Sequence, residues 1–196
     1  VVGLGYFLSI FKKRKYQNIG EAIMGFGLLF LGLSGLSSVF TPDQLGWMLN
    51  IKGTGASAII LGFLNGIVVT ALLHSSSAFS AIVITMAYNG LISWELAAAM
   101  TLGSNVGSTV DSIMASMGTS ANGRRAALIH VMFNLFGTIV VLCFLKPFLD
   151  LVMFITPGQE NSNIAIRISM LHTVFNIITT VVMTPLSGKL VKIAEF

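Results

Sequence analysis

The sequence predicts an all-α polytopic membrane protein, and three observations carry that prediction. Only 9% of the 196 residues are charged while 55% are hydrophobic, against about 25% charged in an ordinary soluble domain. The charges are also bunched. Runs of 21, 42, 20 and 21 uncharged residues separate Glu21 from Asp43, Lys52 from Glu95, Arg125 from Lys146 and Arg167 from Lys189, each enough for the roughly 20 residues of a helical crossing. Third, the net charge of +4 sits mostly at the ends of apolar runs, where it reports membrane topology and not a nucleic-acid partner. The lone Cys143 excludes an intrachain disulfide and a cysteine-based metal site.

Residues 1–11 are apolar or small and lead directly into Lys12, Lys13, Arg14 and Lys15. A signal peptide has the reverse order. The opening is about half a crossing long, so it reads as the end of a truncated transmembrane helix in a longer protein. The basic loop 12–19 belongs on the cytoplasmic side, and no aromatic context makes it a DNA-binding surface. A span follows over 20–40, where Gly25, Gly32 and Gly35 fall near one face as a seam for close helix packing. Residues 41–57, with Pro42, Asp43, Trp47 and Lys52, form an outer connection that puts Trp47 at headgroup level.

Further on, spans are expected over 126–145 and 164–190, joined by a turn region with Pro147, Pro157 and Gly158 as helix-ending residues. Placing the basic groups at 12–15, 124–125 and 189–192 on one side forces the segment 58–123 to cross an odd number of times. A re-entrant hairpin over 58–90 and one crossing over 94–117 satisfy this. Arg167 is left on the outer side.

The chemistry concentrates in the long uncharged stretch. In "TALLHSSSAFSAIVITMA", His74, Ser75, Ser76, Ser77 and Ser80 interrupt apolar sequence. Three consecutive serines cannot share a helix face, and their hydroxyls favour helix starts over helix interiors. The stretch therefore reads as a break, with a second half-helix starting near Ser77. Broken helices at membrane depth occur inside protein or against a water-filled cavity, and a half-helix N-terminus there is an anion site. Serines that only mediate helix packing are the bland alternative.

A second cluster is "TLGSNVGSTVDS". If helical, Ser104, Ser108 and Asp111 share a face, while Gly103 and Gly107 permit close backbone approach. An acidic residue in an apolar segment is costly and faces a cavity or a cation, and hydroxyl and carboxylate oxygens suit a hard cation. The bland alternative solvates Asp111 near Arg124 and Arg125. A third pattern repeats: "HVMFN" at 130–134 returns as "HTVFN" at 172–176. It places His130 with Asn134, and His172 with Asn176, for hydrogen bonding between the two helices.

Together, "HSSSA", "GSNVGST", "GEAIMGFGLLFLGL", "RRAALIHVMFNL" and "LHTVFN" resemble, in order and spacing, the second repeat of the sodium/phosphate cotransporter family. That family includes bacterial carriers and the animal type II carriers. The resemblance covers residues 18–185 and implies one repeat of an inverted-repeat transporter whose re-entrant broken-helix hairpin carries the Ser-rich motif. It implies phosphate binding by Ser75, Ser76 and Ser77. It implies sodium binding by His74, Ser75, Ser104, Asn105, Ser108 and Asp111. Sodium and inorganic phosphate are then cargo, with no cofactor. The site is completed by the first repeat or a second copy, with Gly25, Gly32, Gly103 and Gly107 as candidate contacts. The expected location is the cell membrane, the bacterial inner membrane, with basic loops cytoplasmic. Two departures from the family motif matter: His74 replaces a glutamine, and Asp111 stands where animal relatives have threonine.

Sodium-coupled phosphate symport is thus the leading reading. Another oxyanion, or a proton in place of one sodium at His74, is the variant within that class. An intramembrane serine hydrolase needs a base beside its nucleophile, which His172 reaches only through folding, and no Gly-x-Ser-x-Gly elbow is present. A non-transporting membrane subunit is the third class.

Overall fold

The computed structural model describes residues 1–39, 55–156 and 163–195, and every regular element among them is a helix. The expected outer connection with Trp47 and the turn at Pro157 and Gly158 lie outside the described residues. Two compact units form, Val1–Thr41 and Pro42–Phe196.

The first unit is a pair of helices, α1 (Val2–Ser9) and α2 (Arg14–Val39). Most of the expected basic loop 12–19 is therefore the opening of α2. The pair closes through glycine, but not through the expected seam. A Cβ on Gly5 would strike the α2 backbone at Met24, and one on Gly20 would strike the α1 backbone at Ser9. Gly27 sits against Val2, whereas Gly25 and Gly32 face open space. Gly20 and Gly27 share the seven-residue spacing of Gly25 and Gly32, so periodicity alone does not choose between the two faces.

The second unit holds α3 (Ala56–Leu73), α4 (Ser76–Tyr88), α5 (Trp94–Gly107), α6 (Thr109–Ser116), α7 (Ala121–Cys143), α8 (Leu145–Ile155) and α9 (Ile164–Met183). A 3-10 turn at Thr184–Leu186 then leads into α10 (Ser187–Ala194). By length and composition three helical stretches can cross a membrane: Ala56–Leu73, Ala121–Cys143 and Ile164–Ala194. The expected crossing over 94–117 is divided at Ser108 into α5 and α6. Pro147 ends no helix; it lies in the first turn of α8, where its missing N–H costs nothing.

Helix α5 is the centre of this unit. Its residues from Ala97 to Asn105 are all buried, which marks a helix enclosed on every side. Leu102 and Ala98 join Val141, Phe148, Val152, Leu171 and Phe175 from α7, α8 and α9 in one apolar cluster. On its other flank α5 meets α3 through reciprocal glycines. A Cβ on Gly66 would enter the Met100 carbonyl, and one on Gly103 the Phe63 carbonyl. Gly107 in turn abuts Ile67 and Thr70. This corrects the expectation that Gly103 and Gly107 serve another repeat: they are spent inside this one. The outer face of α3 carries exposed Leu61, Leu64, Val68 and Leu72, the apolar exterior that lipid requires.

Ile59, Tyr88, Trp94, Lys146 and Ile164 line one cavity of about 930 Å³. The start of α3, the end of α4 and the starts of α5, α8 and α9 therefore gather at one end of the unit. The chain doubles back at residues 74–75, and the Ser-rich break lies at the far end from this cavity.

The glycine contact makes a stability prediction. Gly66→Ala and Gly103→Ala each force two backbones apart and should cost about 1–3 kcal/mol in thermal unfolding of the detergent-purified protein. Gly25→Ala, on an open face, should be neutral or stabilise by up to about 1 kcal/mol; equal losses at all three positions would contradict the assignment.

Candidate functional site

The break forms where the serine triplet predicts it, one residue early. Helix α3 ends at Leu73, and His74 adopts a left-handed backbone (φ 51°, ψ 29°). It is the sole non-glycine residue with positive φ among the described residues, and such a residue commonly closes a helix. Ser75 then caps α4 by accepting a hydrogen bond from the Ala78 N–H at 3.2 Å. Ser76 and Ser77 occupy the first turn of α4, whose N–H groups have no acceptors within the helix. Donors and the positive end of the helix dipole thus coincide at the break.

Of the second cluster, Asp111 reaches the same place. Ser104 and Asn105 are buried to 1% and 4% exposure near the end of α5. The Ser104 Oγ and Asn105 Nδ2 find no hydrogen-bond partner among the described residues, and neither does the Thr70 Oγ1, one turn before His74. The Ser108 hydroxyl donates to the Asn105 carbonyl at 2.9 Å and the Thr109 hydroxyl to the Val106 carbonyl at 2.7 Å. Each hydroxyl oxygen keeps lone pairs that can accept from a donor or meet a cation. Asp111, in the first turn of α6, approaches His74: its Oδ1 lies 2.6 Å from Nδ1 of the imidazole.

Depth follows from the next residue. The Ser112 Oγ is 2.7 Å from Nδ1 of His130, and His130 lies within the apolar helix Ala121–Cys143. It stands about 14 Å along that helix from its first residue and about 20 Å from its last, at 1.5 Å per residue. Asp111 is therefore level with the interior of a candidate span and not with Arg124 and Arg125 at its start. Side chains of His74 and Asp111 are nonetheless 52% and 45% exposed, which presents a polar face at that depth.

The repeated histidine–asparagine pattern does not link its two helices. Asn134 donates to the His130 carbonyl at 3.1 Å, and Asn176 to the His172 carbonyl at 2.8 Å, one turn back in each case. The His172 Nδ1 is buried and has no hydrogen-bond partner among the described residues. Sequence reasoning missed Thr70 and the Ser112–His130 contact. A threonine one turn from the triplet could have signalled the former; the latter joins residues 18 apart in sequence and leaves no local trace.

A profile described as Na+/Pi-cotransporter matches residues 48–180. The chain belongs to the Na+/Pi-cotransporter family. Among relatives of this cotransporter-family chain is YqeW of Bacillus subtilis (strain 168), an uncharacterized protein. It is 27% identical over 95% of the chain and 59% of its own length. YjbB of Escherichia coli (strain K12), whose name proposes the export of inorganic phosphate, is 28% identical over 94% of the chain and 33% of its own length. The sodium-dependent phosphate transport protein 2C of Rattus norvegicus is 36% identical over 56% of the chain and 17% of its own. The chain thus spans between a sixth and three fifths of these relatives. No solved structure matches it.

The cap makes a separable prediction. Ser75→Ala should lower stability by about 1 kcal/mol and Ser75→Asp should not, as read by thermal unfolding. Equal losses in the two variants would remove Ser75 from the cap.

Proposed function

We propose that this chain is the second, ligand-binding repeat of an inverted-repeat carrier that moves inorganic phosphate across the cell membrane together with sodium. Its residues 58–90 form the re-entrant hairpin. The observation that supports this most is the meeting, through His74 and Asp111, of a helix N-terminus with unspent N–H groups and the segment whose buried hydroxyl and amide groups lack partners among the described residues. Buried polar groups are normally paired, so orphans on a segment that meets a helix start are what a polar ligand would complete.

In this reading phosphate sits at the start of α4, held by the hydroxyls of Ser75, Ser76 and Ser77 and by the N–H groups of the first turn. Sodium takes oxygens from Ser75, Ser104, Asn105, Ser108 and Asp111, the ligand type a hard cation prefers. Each ion offsets the other's desolvation, which binding at membrane depth requires. The polar face left open at His74 and Asp111 meets the first repeat, since lipid cannot satisfy it. Family membership and the relatives named for phosphate transport support the choice of anion, and the relative named as sodium-dependent supports the choice of cation.

Reconstituted protein should take up radiolabelled phosphate into liposomes, faster with an inward sodium gradient than with choline. Ser76→Ala should weaken apparent phosphate affinity about tenfold or more, the cost of one hydrogen bond to a charged group, without loss of fold. Phosphate movement that ignores the sodium gradient would remove the coupling. Wild-type affinity in Ser76→Ala and Ser77→Ala would remove the anion from the start of α4.

A further inference from the structure

Two of the residues at which this chain departs from the family motif touch each other. His74 ends α3, Asp111 opens α6, and 37 positions separate them, yet Nδ1 and Oδ1 are 2.6 Å apart. The contact pairs an imidazole with a carboxylate across two helices. It joins the left-handed turn that makes the Ser-rich break to the segment that carries the cation oxygens. The Ser112–His130 contact beside it ties α6 to the candidate span Ala121–Cys143, within which an unpartnered carboxylate is costly.

We propose that His74 and Asp111 act as one unit within the transport site described above. His74 is a positioning residue that fixes the Asp111 carboxylate beside the break, and Asp111 supplies a permanent negative charge for sodium. The proposal rests on the phosphate-transport reading. An imidazole that donates from Nδ1 to Oδ1 leaves the carboxylate charged and leaves Oδ2 for the cation. A carboxylate without the imidazole would face the transport site with one fewer donor. The motif's glutamine and threonine are both neutral, so exchanging either residue alone unbalances the pair, and exchanging both removes the fixed charge together with the donor that accompanies it. The left-handed backbone at residue 74 is strained in a non-glycine residue. The imidazole contact holds that turn against Asp111.

Four reconstituted proteins test this: wild type, His74→Gln, Asp111→Thr and the double variant. Sodium activation of phosphate uptake is the readout. Each single substitution should raise the half-saturating sodium concentration tenfold or more, with the maximal rate at saturating sodium within about threefold of wild type. The double variant should be no worse than Asp111→Thr, because a residue that acts through Asp111 has nothing left to position. Fold-changes that multiply in the double variant would overturn the unit. His74→Gly relaxes the backbone while deleting the imidazole, and it should match His74→Gln; wild-type sodium activation in His74→Gly would overturn the role of the side chain.

A second readout separates this proposal from the transport reading. Sodium chloride, compared with choline chloride, should raise the Tm of the purified wild-type protein. The rise should shrink in both single variants. An equal rise in all four proteins would overturn the proposal. A wild-type protein that shows the sodium effect but moves no phosphate would count against the transport reading alone.

Discussion

The approach of α3 to α5, backbone against backbone, is the constraint from which the rest of this unit follows. Inside a bilayer there is no hydrophobic drive between helices, so association depends on close van der Waals contact and on interhelical hydrogen bonds. Gly66 against the Met100 carbonyl, Gly103 against the Phe63 carbonyl and Gly107 against Ile67 supply that contact over about two turns. With these in register, the last turn of α3 must lie beside the end of α5. Thr70 packs on Gly107, and one turn beyond each of them stand His74 and Asp111, in contact. A side chain at any of the three glycines would move the Ser-rich break away from the polar end of α5.

Polar groups in this unit divide into two kinds. Most are spent locally: Thr85, Thr101 and Thr173 donate to carbonyls of their own helices, and Ser93 and Ser120 accept N–H bonds as helix caps. Such groups carry structure and nothing else. Others have a buried atom with no partner among the described residues: Thr138, Thr156 and His172 elsewhere, Trp94 at the large cavity, and Thr70, Ser104 and Asn105 on the two helices of the α3–α5 crossing. The large cavity at the other end of the unit is lined by Glu95, Lys146, Asp150 and Arg167. Volume alone would point there. The unsatisfied hydrogen-bonding groups around the α3–α5 crossing point to the break instead.

Much of this was legible in the sequence because it is local. A serine triplet inside apolar sequence disfavours a continuous helix, and the break appears within one residue of its expected place. The charge-free runs 126–145 and 168–188 suggested spans over 126–145 and 164–190, where helices long and apolar enough to cross a membrane occupy Ala121–Cys143 and Ile164–Ala194. Failures came where distant contact decides. The glycines at 20 and 27 and those at 25 and 32 have identical spacing, and only the position of α1 selects the first pair. Pro147 reads as a stop, but in the first turn of α8 it costs no hydrogen bond. Neither His74 with Asp111 nor Ser112 with His130 could be paired without the fold that folds α6 back toward the break and α7 alongside it.

Placement of the Ser-rich break against α6 is the claim on which the functional reading stands. It is tested most directly by cysteines at positions 74 and 111 in a Cys143→Ser background, treated in membranes with a short bifunctional thiol reagent. Efficient intramolecular cross-linking, with loss of sodium-dependent phosphate uptake that reductive cleavage of the link restores, is the predicted result. Cysteines that both react with the reagent yet never join would contradict the account, because the break and Asp111 would then belong to different places in the membrane.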